Sequence, residues 1–319
     1  VVGASFLLAS FATDRALVAS IHASRRRIDV PALGRRALVR LGQLVGVVGL
    51  AVVLVVGFDG PTDPLSNAAV LVVWAGWWAG FAMSTYLLGN AWPVLNPWRT
   101  LAGLIPDVGR TYRWQWGAWL SVAGLLGLVW LEVVSPLADE PGTLATTVAA
   151  YSLVTLAGTV VYGRETWFRE VDPVARVFRY YGAVAPVGAA GESGGRAGKT
   201  ADSAAAPDGE VAPDGRVTPN GEVAPDGRGS ALVVRVPGTG LTDDVLDGLD
   251  EVAMVVALLW VTTFDGLVAT EAWARFAVEL VGWGVPATAL YPGTLVAGFA
   301  LFLWVYLTAA KLARRTAST

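Results

Sequence analysis

Six long apolar runs leave this chain few folds to choose from. They lie near 38–57, 68–89, 115–135, 142–162, 250–268 and 287–310, and each supplies the roughly 17–25 residues a helix needs to cross a hydrocarbon core. Inside that core every backbone N–H and C=O must bond within its own segment, so such runs fold as helices. A further run, Val1–Phe11, is shorter than a span. It lacks the basic lead of a signal peptide and is read as the end of a first helix whose upstream half is missing. The expected fold class is all-α, a multi-pass transmembrane helix bundle of about seven helices with the first truncated.

Composition sets the environment. Of the 319 residues 54% are hydrophobic and 15% charged, against about 25% charged in a soluble domain. Fourteen Trp and 37 Gly suit spanning helices, which tolerate Gly and collect Trp at their interfaces. The absence of Cys excludes disulfide and thiol chemistry. A net charge of -3 makes no nucleic-acid surface, so the lipid bilayer is the expected partner, with a small solute or ion and a membrane-protein partner as further candidates.

Charge alternates along the loops. Arg15, Arg25, Arg26, Arg27, Arg35 and Arg36 precede the first full span, whereas 58–67 carries only Asp59 and Asp63. Basic residues return at Arg99, Arg110 and Arg113, vanish in the acidic turn at Asp139 and Glu140, and return at Arg164, Arg169, Arg176 and Arg179. Only Arg275 breaks the pattern before the basic tail at Lys311, Arg314 and Arg315. The positive-inside rule then predicts a cell-membrane protein with an outward N-terminus, and with the 163–249 loop and the C-terminus cytoplasmic.

Three regions follow: a membrane domain at 1–187, a low-complexity insert at 188–230, and an interfacial segment with the last two spans at 231–319. The octet Gly-Glu-Val-Ala-Pro-Asp-Gly-Arg occurs at 209–216 and again at 221–228. Such a polar insert cannot offset its ordering entropy by burial, so it is expected to be a disordered cytoplasmic loop. Leu232–Val236 reads as a short strand or an interfacial stretch. Thr242 reads as an N-cap with Asp243 and Asp244 in the first turn.

The candidate site residues lie at the ends of the spans. After the 68–89 run, Asn90, Pro93, Asn96, Pro97 and Arg99 interrupt the helix. This is either an interfacial elbow with capping Asn side chains or a re-entrant element, because irregular backbone at membrane depth must be sheltered by protein or water. Discontinuous helices of the second kind bind solutes and ions in transporters. Arg99 is then the anion-facing group, with Arg164 a second contributor. At the other membrane face Glu132 and Asp265 are acids within apolar runs, and Thr262 shares a helical face with Asp265. Together the acids could share a proton or a cation. Gly42 with Gly46, and Gly76 with Gly80, make small-xxx-small pairs. Trp74, Trp77, Trp78 and Phe81 form a stripe read as packing. A single histidine, His22, is too few for a His-rich metal or haem site, and no cofactor or metal is expected.

Asn96-Pro97-Trp98-Arg99-Thr100, Trp130-Leu131-Glu132 and Thr263-Phe264-Asp265-Gly266-Leu267 resemble a family of polytopic membrane proteins from actinobacteria and haloarchaea, often labelled fenitrothion hydrolase-like. The resemblance covers most of the membrane portion and leaves out the insert. It gives Asn96, Trp98, Arg99, Glu132 and Asp265 weight as shared features of the fold, and its label implies hydrolysis of an organophosphate ester. Phosphotriester hydrolysis usually runs on a metal-activated water. The leading functional expectation is transport or channel-type movement of a small solute or ion. An accessory or scaffold subunit is the alternative, followed by a membrane-embedded phosphoester hydrolase.

Overall fold

The computed structural model describes residues 26–28, 31–110, 116–189, 232–242 and 248–317. The described residues are all-α apart from three very short strands. Among the described residues five helices are long and apolar enough to cross a membrane: α1 (Ala32–Asp59), α2 (Ala68–Leu87), α5 (Pro141–Tyr162), α8 (Leu249–Val268) and α10 (Ala287–Ala317). A sixth, α4 (Trp119–Val134), is apolar but has 16 residues. The six apolar runs thus fold as helices, with α1 starting six residues before its expected bound and α10 ending seven residues after, and the chain is an integral membrane protein. The expected first, truncated helix and the repeats of the insert lie outside the described residues.

Between the spans are shorter helices that apolar length alone does not reveal. After α2 comes one turn, Trp92–Leu95, and then α3 (Pro97–Ala102). Helix α6 occupies 164–171, its Trp167–Val171 part wound as π-helix, and α7 is Pro173–Val184. Helix α9 (Glu271–Gly282) fills the loop that carries Arg275. Local chemistry starts three of these. The Asn96 side chain accepts the Arg99 N–H ahead of Pro97, Asp172 accepts the Ala175 N–H ahead of Pro173, and Thr270 accepts the Trp273 N–H. Proline at the first helical position suits the role, since its missing N–H would be unpaired there.

The described residues form two compact units. The first draws on the described parts of 1–41, 83–91 and 180–247. Its centre is an antiparallel sheet in which β3 (Leu232–Val234) lies between β1 (Arg26–Ile28) and β2 (Val187–Ala189), with Arg26 and Val187 both opposite Val234. Strand β3 bears out the strand reading of 232–236, and β2 extends into the expected insert. Arg235 donates to the carbonyls of Gly182, Ala183 and Ala185, satisfying groups that the end of α7 leaves open. Thr242 closes a 3-10 turn at Thr239–Thr242, and α8 starts at Leu249 behind Gly248, so Thr242 does not cap that helix. Asp243 and Asp244 lie outside the described residues.

The second unit draws on the described parts of 42–82, 92–179 and 248–319. Helices α4, α8 and α10 pack together there. Phe264, Met254, Ala253 and Ala257 are fully buried, and the Trp260 indole lies over Gly298 while donating to the Leu295 carbonyl at 2.7 Å. Gly46 admits a close backbone approach, since a Cβ there would stand 1.8 Å from the Leu95 carbonyl oxygen. At Gly42 a Cβ would stand 2.6 Å from the Val94 side chain, so the first small-residue pair is a seat for the turn at Trp92–Leu95. Gly76 meets nothing nearer than 3.8 Å. At the other end Asn67, wholly buried, donates to the carbonyls of Val56 and Pro61 and accepts the Ala69 N–H, joining α1 to the start of α2.

Candidate functional site

Helices α6 and α7 make a hairpin that runs back along α5. The Trp167 ring lies on Gly158, where an added Cβ would be 2.0 Å away, and five residues later Asp172 accepts the Tyr151 hydroxyl hydrogen. As α6 advances from 167 to 172, its neighbours on α5 retreat from 158 to 151. Tyr151 is ten residues from Pro141 in a helix of 22, about 15 Å along it at 1.5 Å per residue. The tip of the hairpin therefore lies beside the middle of a spanning helix. Trp98 reaches the same level: its Nε1 donates to Ser152 at 2.7 Å and its ring meets Tyr151 edge-on at 4.8 Å.

The tip is held by buried polar groups. Asp172 is 1% exposed and belongs to no spanning helix, sitting in the link between α6 and α7. Burial raises its carboxyl from the usual range to about 6, while hydrogen bonds from the Ala175 N–H and from Tyr151 pull the other way. One turn on, Arg176 is fully buried. Its guanidinium donates to Ser121 Oγ at 3.1 Å, to the carbonyls of Arg169 and Glu170 at 2.8 and 3.0 Å, and to Glu251. Glu170 lies 3.6 Å away as a second anion, and Arg179 joins Glu251 at 3.2 Å. Ser121 in turn donates to the Glu170 and Val171 carbonyls. Asp250 accepts the Ala118 N–H at 2.6 Å. The first turn of α8 is thus tied to the start of α4 and to α7, and the buried guanidinium has counter-charges and acceptors on several sides, as a buried charge requires.

Phe178 carries α7 into an aromatic cluster. Its ring meets Phe81 at 4.9 Å, Trp92 at 5.2 Å and Trp77 at 5.5 Å. Trp77 and Phe81 come from the stripe expected to serve packing, and they do pack here.

The sequence-derived candidates fall in four places. Asn96, 1% exposed, is the cap of α3, its carbonyl oxygen also accepting from Thr100 at 3.2 Å. Arg99 and Arg164 converge, as expected of two contributors to one site, but on a carboxylate of the chain itself. Both pair with Glu165, Arg164 at 3.2 Å, and Arg99 also lies 5.9 Å from the Phe168 ring centre. Asn90 belongs to the first unit, beside Gly182. Glu132 and Asp265 come from the packed pair α4 and α8. Glu132 is half-buried and Asp265 exposed. Thr262, exposed, turns its hydroxyl onto its own helix, donating to the Leu259 carbonyl at 2.9 Å.

Sequence reasoning missed the centre itself. Asp172, Tyr151, Ser121, Glu170 and Glu251 were not singled out, and Arg176 counted only as a loop charge. One signal was readable: Asp172-Pro173 repeats the cap-and-proline start of Asn96-Pro97. The 75-residue separation of Arg176 from Glu251 leaves no local trace. No family model matches the chain, and no curated protein or solved structure matches it either.

Proposed function

We propose that the chain moves a small cation, most simply a proton, across the membrane along three tiers of ionisable side chains. The carrying observation is Asp172, a buried carboxyl on a tyrosine hydroxyl halfway along a spanning helix, held at about 6 by burial. A group with that value takes up and releases a proton near neutral pH. Buried ionisable groups at membrane depth line pathways and relays by default, and broken helices supply the irregular backbone around them.

The other tiers lie on either side of it. Glu132 and Asp265 stand two and three residues from the ends of α4 and α8. Glu251 is 17 residues before Val268, about 25 Å along α8 from that end. Glu251 and Asp265 are then about 21 Å apart along α8, and Asp172 stands one turn of α7 before the Arg176 guanidinium that binds Glu251. By the alternation of charge the Glu251 end faces the cytoplasm. The likeness of the three short motifs to the fenitrothion hydrolase-like polytopic family supports a reading in which Asn96 and Trp98 are framework and Glu132 and Asp265 the outer tier.

The test is flux. Purified protein is reconstituted into vesicles holding a pH-sensitive dye, and a potassium diffusion potential is imposed. Wild-type vesicles are expected to change internal pH faster than protein-free vesicles, Asp172→Asn to fall to the protein-free rate, and Asp265→Asn to slow the flux. Wild-type vesicles no faster than empty ones would overturn the reading. An accessory-subunit role would then lead, favoured by α1 and α10, whose apolar windows are only 11% and 6% buried within the chain.

A further inference from the structure

Along α5 a row of positions at four-residue spacing runs from Tyr151 through Thr155 and Thr159 to Gly163, just past the helix end. Residues four apart are neighbours on a helix surface. Thr155 and Thr159 are 1% and 3% exposed, although each carries a hydroxyl into a spanning helix. Thr147, Ser152 and Thr159 return their hydrogens to carbonyls of their own helix. The Thr155 hydroxyl turns instead to that of Tyr151, which itself donates to Asp172. Packing against α6 asks only for a small residue here, as Gly158 shows under the Trp167 ring. It does not ask for buried hydroxyls.

The row ends at a carboxylate. Beyond α3 the chain returns to the last turn of α5, where the Val108 and Arg110 N–H groups donate to the carbonyls of Val160 and Val161 at 2.7 and 2.8 Å. These bonds hold Asp107 at Gly163, where an added Cβ would lie 3.3 Å from Asp107 Oδ2. Asp107 is exposed. Midway, on the turn between Thr155 and Thr159, the Trp167 ring covers Gly158. Its Nε1 hydrogen is buried with no acceptor among the described residues. Ordered water is the usual partner of such a group.

We propose that protons enter from the cytoplasm at Asp107 and reach Asp172 along Thr159, Thr155 and Tyr151. The route rests on Asp172 being a proton carrier, and by the alternation of charge this end of α5 faces the cytoplasm. It adds a leg beside the tier at Glu251, whose approach to Asp172 passes the fixed positive charge of Arg176. Four residues of helix rise about 6 Å. One water spans that distance, accepting from one group and donating to the next at about 2.8 Å each. A hydroxyl has one hydrogen to give and two lone pairs to accept with. Each hydroxyl in the row takes a proton on a lone pair and releases the hydrogen it carried, so it ends neutral. The net transfer is one proton from Asp107 to the Asp172 carboxylate.

Vesicle flux tests the leg. Thr155→Val and Thr159→Val keep the shape of threonine without the hydroxyl, and each is expected to slow flux several-fold at an unchanged melting temperature. Thr155→Ser, which keeps the hydroxyl, should run near the wild-type rate. Asp107→Asn, a surface change, should slow flux in weakly buffered medium and recover as mobile buffer is raised, because buffer then delivers the proton. A serine variant as slow as the valine one would assign Thr155 to packing and overturn the relay. Wild-type flux that Asp172→Asn abolishes, but that Thr155→Val, Thr159→Val and Asp107→Asn leave unchanged, overturns this leg alone. Wild-type vesicles no faster than empty ones remove the carrier on which it rests.

Discussion

The Tyr151 hydroxyl donates to the Asp172 carboxyl group, and this one bond sets how far the α6–α7 hairpin reaches along α5. Its donor stands at the middle of a spanning helix, and its acceptor also caps α7 through the Ala175 N–H at 2.6 Å. Tyr151→Phe leaves the cap in place but removes the inter-helix partner from a buried carboxyl. The expected cost is about 1–3 kcal/mol, read as a lower melting temperature of the detergent-purified protein. In a double-mutant cycle with Asp172→Asn the two changes should cost less together than their sum. Additive costs would show that the bond contributes nothing to holding the hairpin.

The same carboxyl makes stability depend on pH. Its value rises from 3.8 in the ordinary state to about 6 in the folded one, chiefly through burial. Between those values the folded chain holds a proton that the unfolded chain releases. The group's contribution is therefore whole below about 3.8 and is lost as pH rises through about 6. Melting temperatures taken from about pH 5 to pH 7 should fall across that interval, and Asp172→Asn, which cannot ionise, should flatten the slope. A slope unchanged by the substitution would put its origin elsewhere.

Arg176 was legible as a positive charge and illegible as a buried one. Apolar length reveals a span because the bilayer imposes it residue by residue, so α1, α2, α5, α8 and α10 stand out in the chain. A hairpin packed along a span has no such signature: in 173–184 the residues Val177, Phe178 and Tyr181 alternate with Arg176 and Arg179 as they would on any interfacial helix. What buries Arg176 is Glu251, 75 residues away, and no period in the sequence connects them. Asn96 shows the converse, since its side chain bonds three residues ahead and the cap could be expected from Asn-Pro alone. Glu132 and Asp265 could be read as a pair because each is an acid in an apolar run. Glu165 could not be read as the partner of Arg99, because it is an ordinary residue of a charged loop.

Substitution at Arg176 should expose the difference between removing a pair and breaking one. Arg176→Met takes the guanidinium from Glu251, which keeps Arg179, and from Glu170, which keeps Arg169, with an expected loss of about 1–3 kcal/mol from the hydrogen bonds given up. Adding Glu251→Leu removes the carboxylate that faced the lost guanidinium and should recover part of that loss. Arg176→Lys keeps the charge but gives up the fork that reaches Ser121 Oγ, two backbone carbonyls and Glu251 together, so it should stay well short of wild type. Unfolding in a graded denaturant series ranks the four proteins. A lysine variant as stable as wild type would mean that charge alone is enough.

The two small-residue pairs separate packing from mere occurrence. Gly46 and Gly76 look alike in sequence, each half of a Gly-xxx-Gly repeat on an apolar helix. A methyl group at Gly46 would fall 1.8 Å from the Leu95 carbonyl oxygen, a backbone atom that cannot swing aside, whereas one at Gly76 would lie 3.8 Å from its nearest neighbour. Gly46→Ala must push the turn at Trp92–Leu95 off α1, and with it Trp92 from Phe178 and Trp98 from Tyr151. Overpacking of this kind costs about 1–3 kcal/mol, and here it should also slow the flux by displacing Tyr151 from Asp172. Gly76→Ala should be neutral or slightly stabilising, since alanine favours the helix over glycine by up to about 1 kcal/mol. Melting temperature and vesicle flux measured side by side decide it: equal effects at the two glycines would mean that the seat for the broken helix is not where α1 meets Leu95.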